Sequence, residues 1–150
     1  MNDYEFLPMI SALVNKIFEQ NVEQNAEKLS LADQPQVVGS ANISQEKIIK
    51  MLLMSDDLGR VQVIYPANGM LDVDTLNQKL GRSLEALPDE EIANVIAQYE
   101  LTKLPAIPDI TGLPAIIDEQ VLELDEIYLE SDTSEQLIKL SKTAFSNFLL

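Results

Sequence analysis

The sequence predicts an α+β fold: a mixed, partly closed, barrel-like β-sheet of about six or more strands with helices packed around it. Three observations predict it. The run Ile48 to Met54 is apolar on both faces apart from Lys50, as expected of a strand covered on both sides. Strand-like and helix-like segments then alternate, with turn chemistry between them. Finally, 150 residues of which 46% are apolar suit one globular domain spanning 1–150, without internal repeats.

The first element is an amphipathic helix within residues 1–30. Leu7, Ile10, Leu13, Val14, Ile17, Phe18 and Val22 share one face, and Pro8 is tolerated in the first turn. A polar connector follows Leu29, and the segment from Gln36 holds a short strand. In the next strand Lys50, Leu52 and Met54 point to one side, and Ile49, Met51 and Leu53 to the other. Ser55 to Gly59 is a turn into a second strand, Val61 to Tyr65. Asp72 or Asp74 caps a helix carrying Leu76 and Leu80, which Gly81 terminates. Arg82 to Leu87 is a short strand, and Pro88 to Glu91 opens a helix whose three acids complement its dipole. Leu104 to Pro114 holds three prolines and must be an ordered loop. Ala115 to Asp118, Glu126 to Glu130 and Gln136 to Leu140 are strands, and Ser141 caps a closing helix through Phe145 and Phe148.

Composition removes whole classes of chemistry. Without cysteine there is no disulfide, thiolate nucleophile or cysteine-metal site; without histidine there is no Ser-His-Asp triad or His-ligated metal. No apolar run reaches the ~20 residues that span a bilayer, and the acidic start MNDYEF lacks the basic region of a secretory signal, so the expected location is cytoplasmic, away from membranes. The net charge of −15 disfavours general nucleic-acid binding and equally serves solubility. Between Glu85 and Glu135 there are fourteen acids and one base, Lys103. Five of the nine other bases, Lys47, Lys50, Arg60, Lys79 and Arg82, fall in or beside the two-strand region, which leaves room for a local basic patch.

The order of motifs resembles the YbaK/EbsC-type aminoacyl-tRNA editing domains associated with prolyl-tRNA synthetase. Lys50-Met51-Leu52-Leu53 is similar to the family's lysine-bearing strand, Leu71-Asp72-Val73-Asp74 through Leu80-Gly81 to its helix start and stop, and Pro88-Asp89-Glu90-Glu91 to its next helix. Ala115-Ile116-Ile117-Asp118-Glu119 is similar to its strand ending in aspartate, and the likeness covers roughly Gln36 to Phe145. The resemblance implies trans-editing: hydrolysis of the ester joining a wrong amino acid to the 3′ end of tRNA, with aminoacyl-tRNA as partner and no metal or organic cofactor. It implies that Lys50 engages the substrate end and that Asp118 orients a water or the substrate amine. Pro105, Pro108, Gly112 and Pro114, in the proline-rich loop, would line the substrate pocket. Leu104 stands where the family's G-x-x-x-P loop has glycine, which restricts close backbone approach. That change, the proline loop and Leu7-Pro8-Met9-Ile10 are similar to a divergent subgroup fused to HDOD signalling domains.

Each residue also has a plainer reading. Lys50 can be a strand-end lysine whose stem covers apolar surface, and Asp118 a turn residue. Asp56-Asp57 suits a hairpin turn, and Glu123, Asp125 and Glu126 a solvated acidic edge. The alternative to a deacylase is therefore a catalytically inactive module that binds a protein partner or regulates a larger signalling protein.

Overall fold

The computed structural model describes residues 9–24, 30–69, 71–101, 103–133 and 135–148. Leu7 and Pro8 of the expected first helix lie outside them. Six α-helical segments are described, besides the 3-10 turns Leu31–Asp33 and Gln45–Lys47: α1 (Met9–Gln24), α2 (Val73–Leu80), α3 (Asp89–Gln98), α4 (Pro108–Thr111), α5 (Glu119–Leu122) and α6 (Lys142–Phe148). The strands are β1 (Gln36–Gly39), β2 (Ile48–Asp56), β3 (Gly59–Pro66), β4 (Glu85–Ala86), β5 (Ala115–Ile117), β6 (Glu126–Glu130) and β7 (Gln136–Ser141).

These strands form one mixed sheet in the order β1-β7-β6-β2-β3-β5, with β4 pairing to β2 off that path. The α+β class and the mixed sheet agree with the sequence. Among the described residues β1 and β5 are the edges of an open path, so the sheet does not close into a barrel. The centre is the hairpin of β2 and β3, antiparallel with Lys50 opposite Tyr65 and Leu52 opposite Val63. Two parallel pairings flank it, β2 with β6 and β3 with β5, each reached by a long crossover as parallel pairing requires.

Alternation along the strands divides the core. Ile49, Ile64, Ile127, Leu129, Ile138 and Leu140 face one side, where Ile10, Val14, Ile17 and Phe18 of α1 and Phe145 and Phe148 of α6 cover them. On the opposite side Met54, Val61 and Val63 pack with Leu84, against Leu52 and the α2 residues Val73 and Leu76. A third cluster joins Leu53 to Leu87 and Val95 beneath α3.

Local chemistry fixes each helix. Asp72 caps α2, its Oδ1 accepting from the Thr75 amide at 3.0 Å, and Gly81 closes it at φ 64°, a left-handed position where any side chain is strained. Asn77 on α2 then clasps the following segment: its Nδ2 donates to the Leu84 carbonyl at 3.1 Å, and its Oδ1 accepts from the Leu84 amide at 2.8 Å. Ser141 starts α6, its Oγ accepting from the Ala144 amide at 3.0 Å. The expected strand at Arg82 to Leu87 is reduced to the two residues of β4, because Asn77 rather than a strand holds Leu84. The proline loop contains the single turn α4, begun by Pro108, where a missing amide hydrogen costs nothing.

The hairpin turn is locked by charge. Arg82 donates through Nε to Asp56 Oδ2 at 2.8 Å and through Nη2 to Oδ1, a bidentate pair whose side chains are only 18% and 6% exposed. The Asp56-Asp57 turn is thus a structural clamp. The hydrogen bonds from Arg82 hold the Asp56 carboxyl well below the usual carboxylate range.

Two outcomes are expected. Leu129→Ala, in the fully buried core, costs about 2–5 kcal/mol in urea unfolding. Leu58→Ala, at a side chain 79% exposed, changes stability by less than about 0.5 kcal/mol. Because the folded pKa of Asp56 is depressed, its stabilisation is complete above the unfolded value of about 3.9 and is lost as pH falls towards the folded one. The stability gap between the protein and Asp56→Asn is therefore constant near neutrality and narrows below about pH 4. Urea midpoints measured across that range check this, and parallel curves would refute it.

Candidate active site

The site arises where the cover on one face of β2 ends. Leu52 and Met54 are roofed by α2 and its approach, but Ile48 and Lys50 lie beyond that roof on the same face. There the parallel register sets Ile48 beside Tyr128 and Ile49 beside Leu129, and one step further places Lys50 beside Glu130, where β6 ends. Glu130 is opposite Leu137 of β7. The result is a concavity of about 360 Å³ bordered by Ser40, Lys50, Lys103, Glu130, Thr133 and Leu137. Lys103 comes from the segment between α3 and the proline loop.

The charges here are not spent on one another. Among the described residues the ion pairs are Arg60 with Glu91 at 3.6 Å, Arg82 with Asp56, and Lys139 with Glu126 at 3.0 Å. Lys50, Lys103 and Glu130 belong to none of them. Glu126, on the same face of β6 as Glu130, is occupied: Lys139 donates to it, which lowers its pKa, and the Tyr128 hydroxyl donates to it at 3.3 Å. Burial, reinforced by the Glu126 charge, raises the Tyr128 pKa. Two ammonium groups and one carboxylate border the same recess, an arrangement able to bind an ester carrying both phosphate and amine.

Asp118 ends β5 and does not border the concavity. Its amide donates to the Ile64 carbonyl at 2.9 Å, and its Oδ1 accepts from the Gln120 amide at 2.8 Å, capping α5. Its place in the sheet is close nonetheless. Ile64 is beside Ile117, so Asp118 falls one step on, alongside Tyr65, whose other neighbour is Lys50. The backbones of Lys50 and Asp118 are thus separated by two strand spacings, about 10 Å.

The proline loop sits differently. Pro105 and Pro108 are buried, Ala106 and Ile107 belong to the main core, and Gly112 and Pro114 are exposed. Gln62 ties the loop down, its Nε2 donating to the Leu113 carbonyl at 2.8 Å and to the Pro108 carbonyl at 3.2 Å. Since Val63 shares the face of Leu52 and Lys50, Gln62 and the carbonyls it holds lie on the opposite face. Lys50 therefore meets Lys103, Glu130 and Thr133, and none of Pro105, Pro108, Gly112 or Pro114 borders its recess. Of the residues not singled out as binding groups, Lys103 had a signal, as the one base in the acidic stretch from Glu85 to Glu135. Glu130 and Thr133 had none, because only the β2-β6 register brings them to Lys50.

Comparison with known proteins places this arrangement. A protein of Marinobacter aquaeolei VT8 provisionally described as a signal transduction protein matches 88% of this chain at 30% identity with a TM-score of 0.74; the chain spans 28% of that protein's length. A scaffold from an epitope-grafting design is similar over 90% of this chain and 91% of its own, at 17% identity and a TM-score of 0.63. A protein provisionally described as a trans-editing enzyme for prolyl-tRNA synthetase is similar over 88% of this chain and 90% of its own, at 16% identity and a TM-score of 0.59. No curated protein matches the chain in sequence. The family model for the aminoacyl-tRNA editing domain matches residues 29–148, four-fifths of the length, and the chain belongs to that family.

Proposed function

We propose that this chain is an aminoacyl-tRNA deacylase acting in trans, which hydrolyses the ester between a wrongly attached amino acid and the 3′-terminal ribose of tRNA. The observation that carries the reading is the recess at the end of β6 bordered by Lys50, Lys103 and Glu130, none of which is in an ion pair among the described residues. Water attacks the ester carbonyl, and the charge developing on its oxygen is stabilised by Lys50. The carbon-oxygen bond to ribose then breaks, the ribose oxygen takes a proton, and free amino acid and uncharged tRNA leave. Asp118 is the second catalytic residue in this reading: with Oδ1 committed to the cap, Oδ2 orients the water. Lys103 adds a second cation at the recess for the terminal phosphate. Pro105, Pro108, Gly112 and Pro114 belong to a loop that acts from the opposite face, where the carbonyls of Pro108 and Leu113 hold Gln62 of β3. The reading invokes no metal or organic cofactor, and it places the protein in the cytoplasm with charged tRNA. Among the described residues no helix is long and apolar enough to cross a membrane.

A second reading has its own support. The chain matches 28% of a longer protein described in signalling terms, and Leu104 replaces the glycine of the family's loop. These favour a catalytically inactive module serving a fused domain or protein partner.

Turnover separates the two. Against a panel of aminoacyl-tRNAs the protein is expected to hydrolyse at least one, with Lys50→Ala reducing kcat by about 10²–10³-fold and leaving the urea midpoint unchanged. Lys103→Ala raises KM with less effect on kcat, the signature of lost ground-state binding. A complete panel with no turnover by the unaltered protein overturns the deacylase and leaves the module.

A further inference from the structure

The geometry points to Glu130 as the reader of the substrate's α-ammonium group, so that the recess selects esters of free amino acids over N-acylated ones. The inference rests on the deacylase reading of the same site and assigns it a specificity element. A site built for phosphate alone gains nothing from a carboxylate, which weakens anion binding by like-charge repulsion. Yet Glu130 borders the recess with Lys50 and Lys103, and its register position is directly beside Lys50 on the sheet. Glu130 is a half-buried residue, and among the described residues its side chain forms no ion pair or hydrogen bond. Neither neighbouring lysine lies within ion-pair distance of it, so the recess keeps its positive and negative groups apart. An aminoacyl ester has the complementary arrangement. Its phosphate and the oxygen of its carbonyl carry or develop negative charge, and one carbon away from the carbonyl stands a positive amine. Lys103 and Lys50 match the first two, and Glu130 matches the third. The contact is a charge-assisted hydrogen bond that acylation of the nitrogen removes along with its charge.

The test uses a probe that cannot be hydrolysed: 3′-alanylamino-3′-deoxyadenosine 5′-monophosphate, an amide in place of the ester, and the same compound N-acetylated. Calorimetry on the full chain is expected to show the free amine bound about tenfold or more tighter than the acetylated form. Glu130→Gln, with its fold checked by circular dichroism, brings the free amine down to the acetylated level and leaves the acetylated probe unchanged. Equal binding of the two probes by the unaltered protein, binding of neither, or an equal loss of both in Glu130→Gln overturns the assignment. Failure of the underlying reading looks different. Discrimination between the probes without turnover of any aminoacyl-tRNA removes the deacylase and keeps the ammonium reader, whereas turnover with equal probe binding does the reverse.

Discussion

The structure depends on the central position of β2. It pairs with β3 along its whole length, with β4 near its end and with β6 at its start, so its backbone is hydrogen-bonded on both edges. Both of its faces are roofed by apolar layers along most of its length. Such a strand tolerates a charged side chain only where one roof stops. That place is Lys50, and the same constraint that makes β2 hydrophobic defines where a polar recess can open. The site is the part of the central strand that the α2 roof leaves bare.

Electrostatics then separates structural charge from available charge. Arg82 and Asp56 neutralise one another at the hairpin turn, and Lys139 and Glu126 do so further along the exposed face. Against a net charge of −15, two lysines bordering one recess oppose locally the sign of the body around them. A polyanion feels general repulsion from the body and attraction at the recess, which favours contact by its end rather than its length. This is consistent with a partner presented by a terminus.

Much of the architecture was legible because it is encoded locally. The turn at Asp56-Gly59, the cap at Asp72, the stop at Gly81 and the start of α6 at Ser141 each depend on residues within a few positions of one another. A run apolar on both faces likewise identified β2, with Lys50 as the one charged position from Ile48 to Met54. What could not be read is long-range. The recess unites Ser40, Lys50, Lys103, Glu130 and Thr133, and the parallel register of β2 and β6 that sets Glu130 beside Lys50 leaves no trace in either strand alone. The proline loop shows the opposite difficulty. Its composition signals rigidity, but the face on which it packs is decided by Gln62, a buried polar residue in an otherwise apolar strand. The short helix α5 was missed because its cap, Asp118, carries the same signature as a strand-ending turn.

The β2-β6 register has one more consequence. Side chains in a strand alternate with a period of two, so a slip of one residue would turn Lys50 into the core beneath α1 and expel Ile49 to the recess. A buried, unpaired ammonium makes that alternative a high-energy state. The lysine thus does for the chain what a key does in a lock. By being intolerable anywhere else, it forbids mispaired sheets and ties correct assembly of the molecule to the presence of its site.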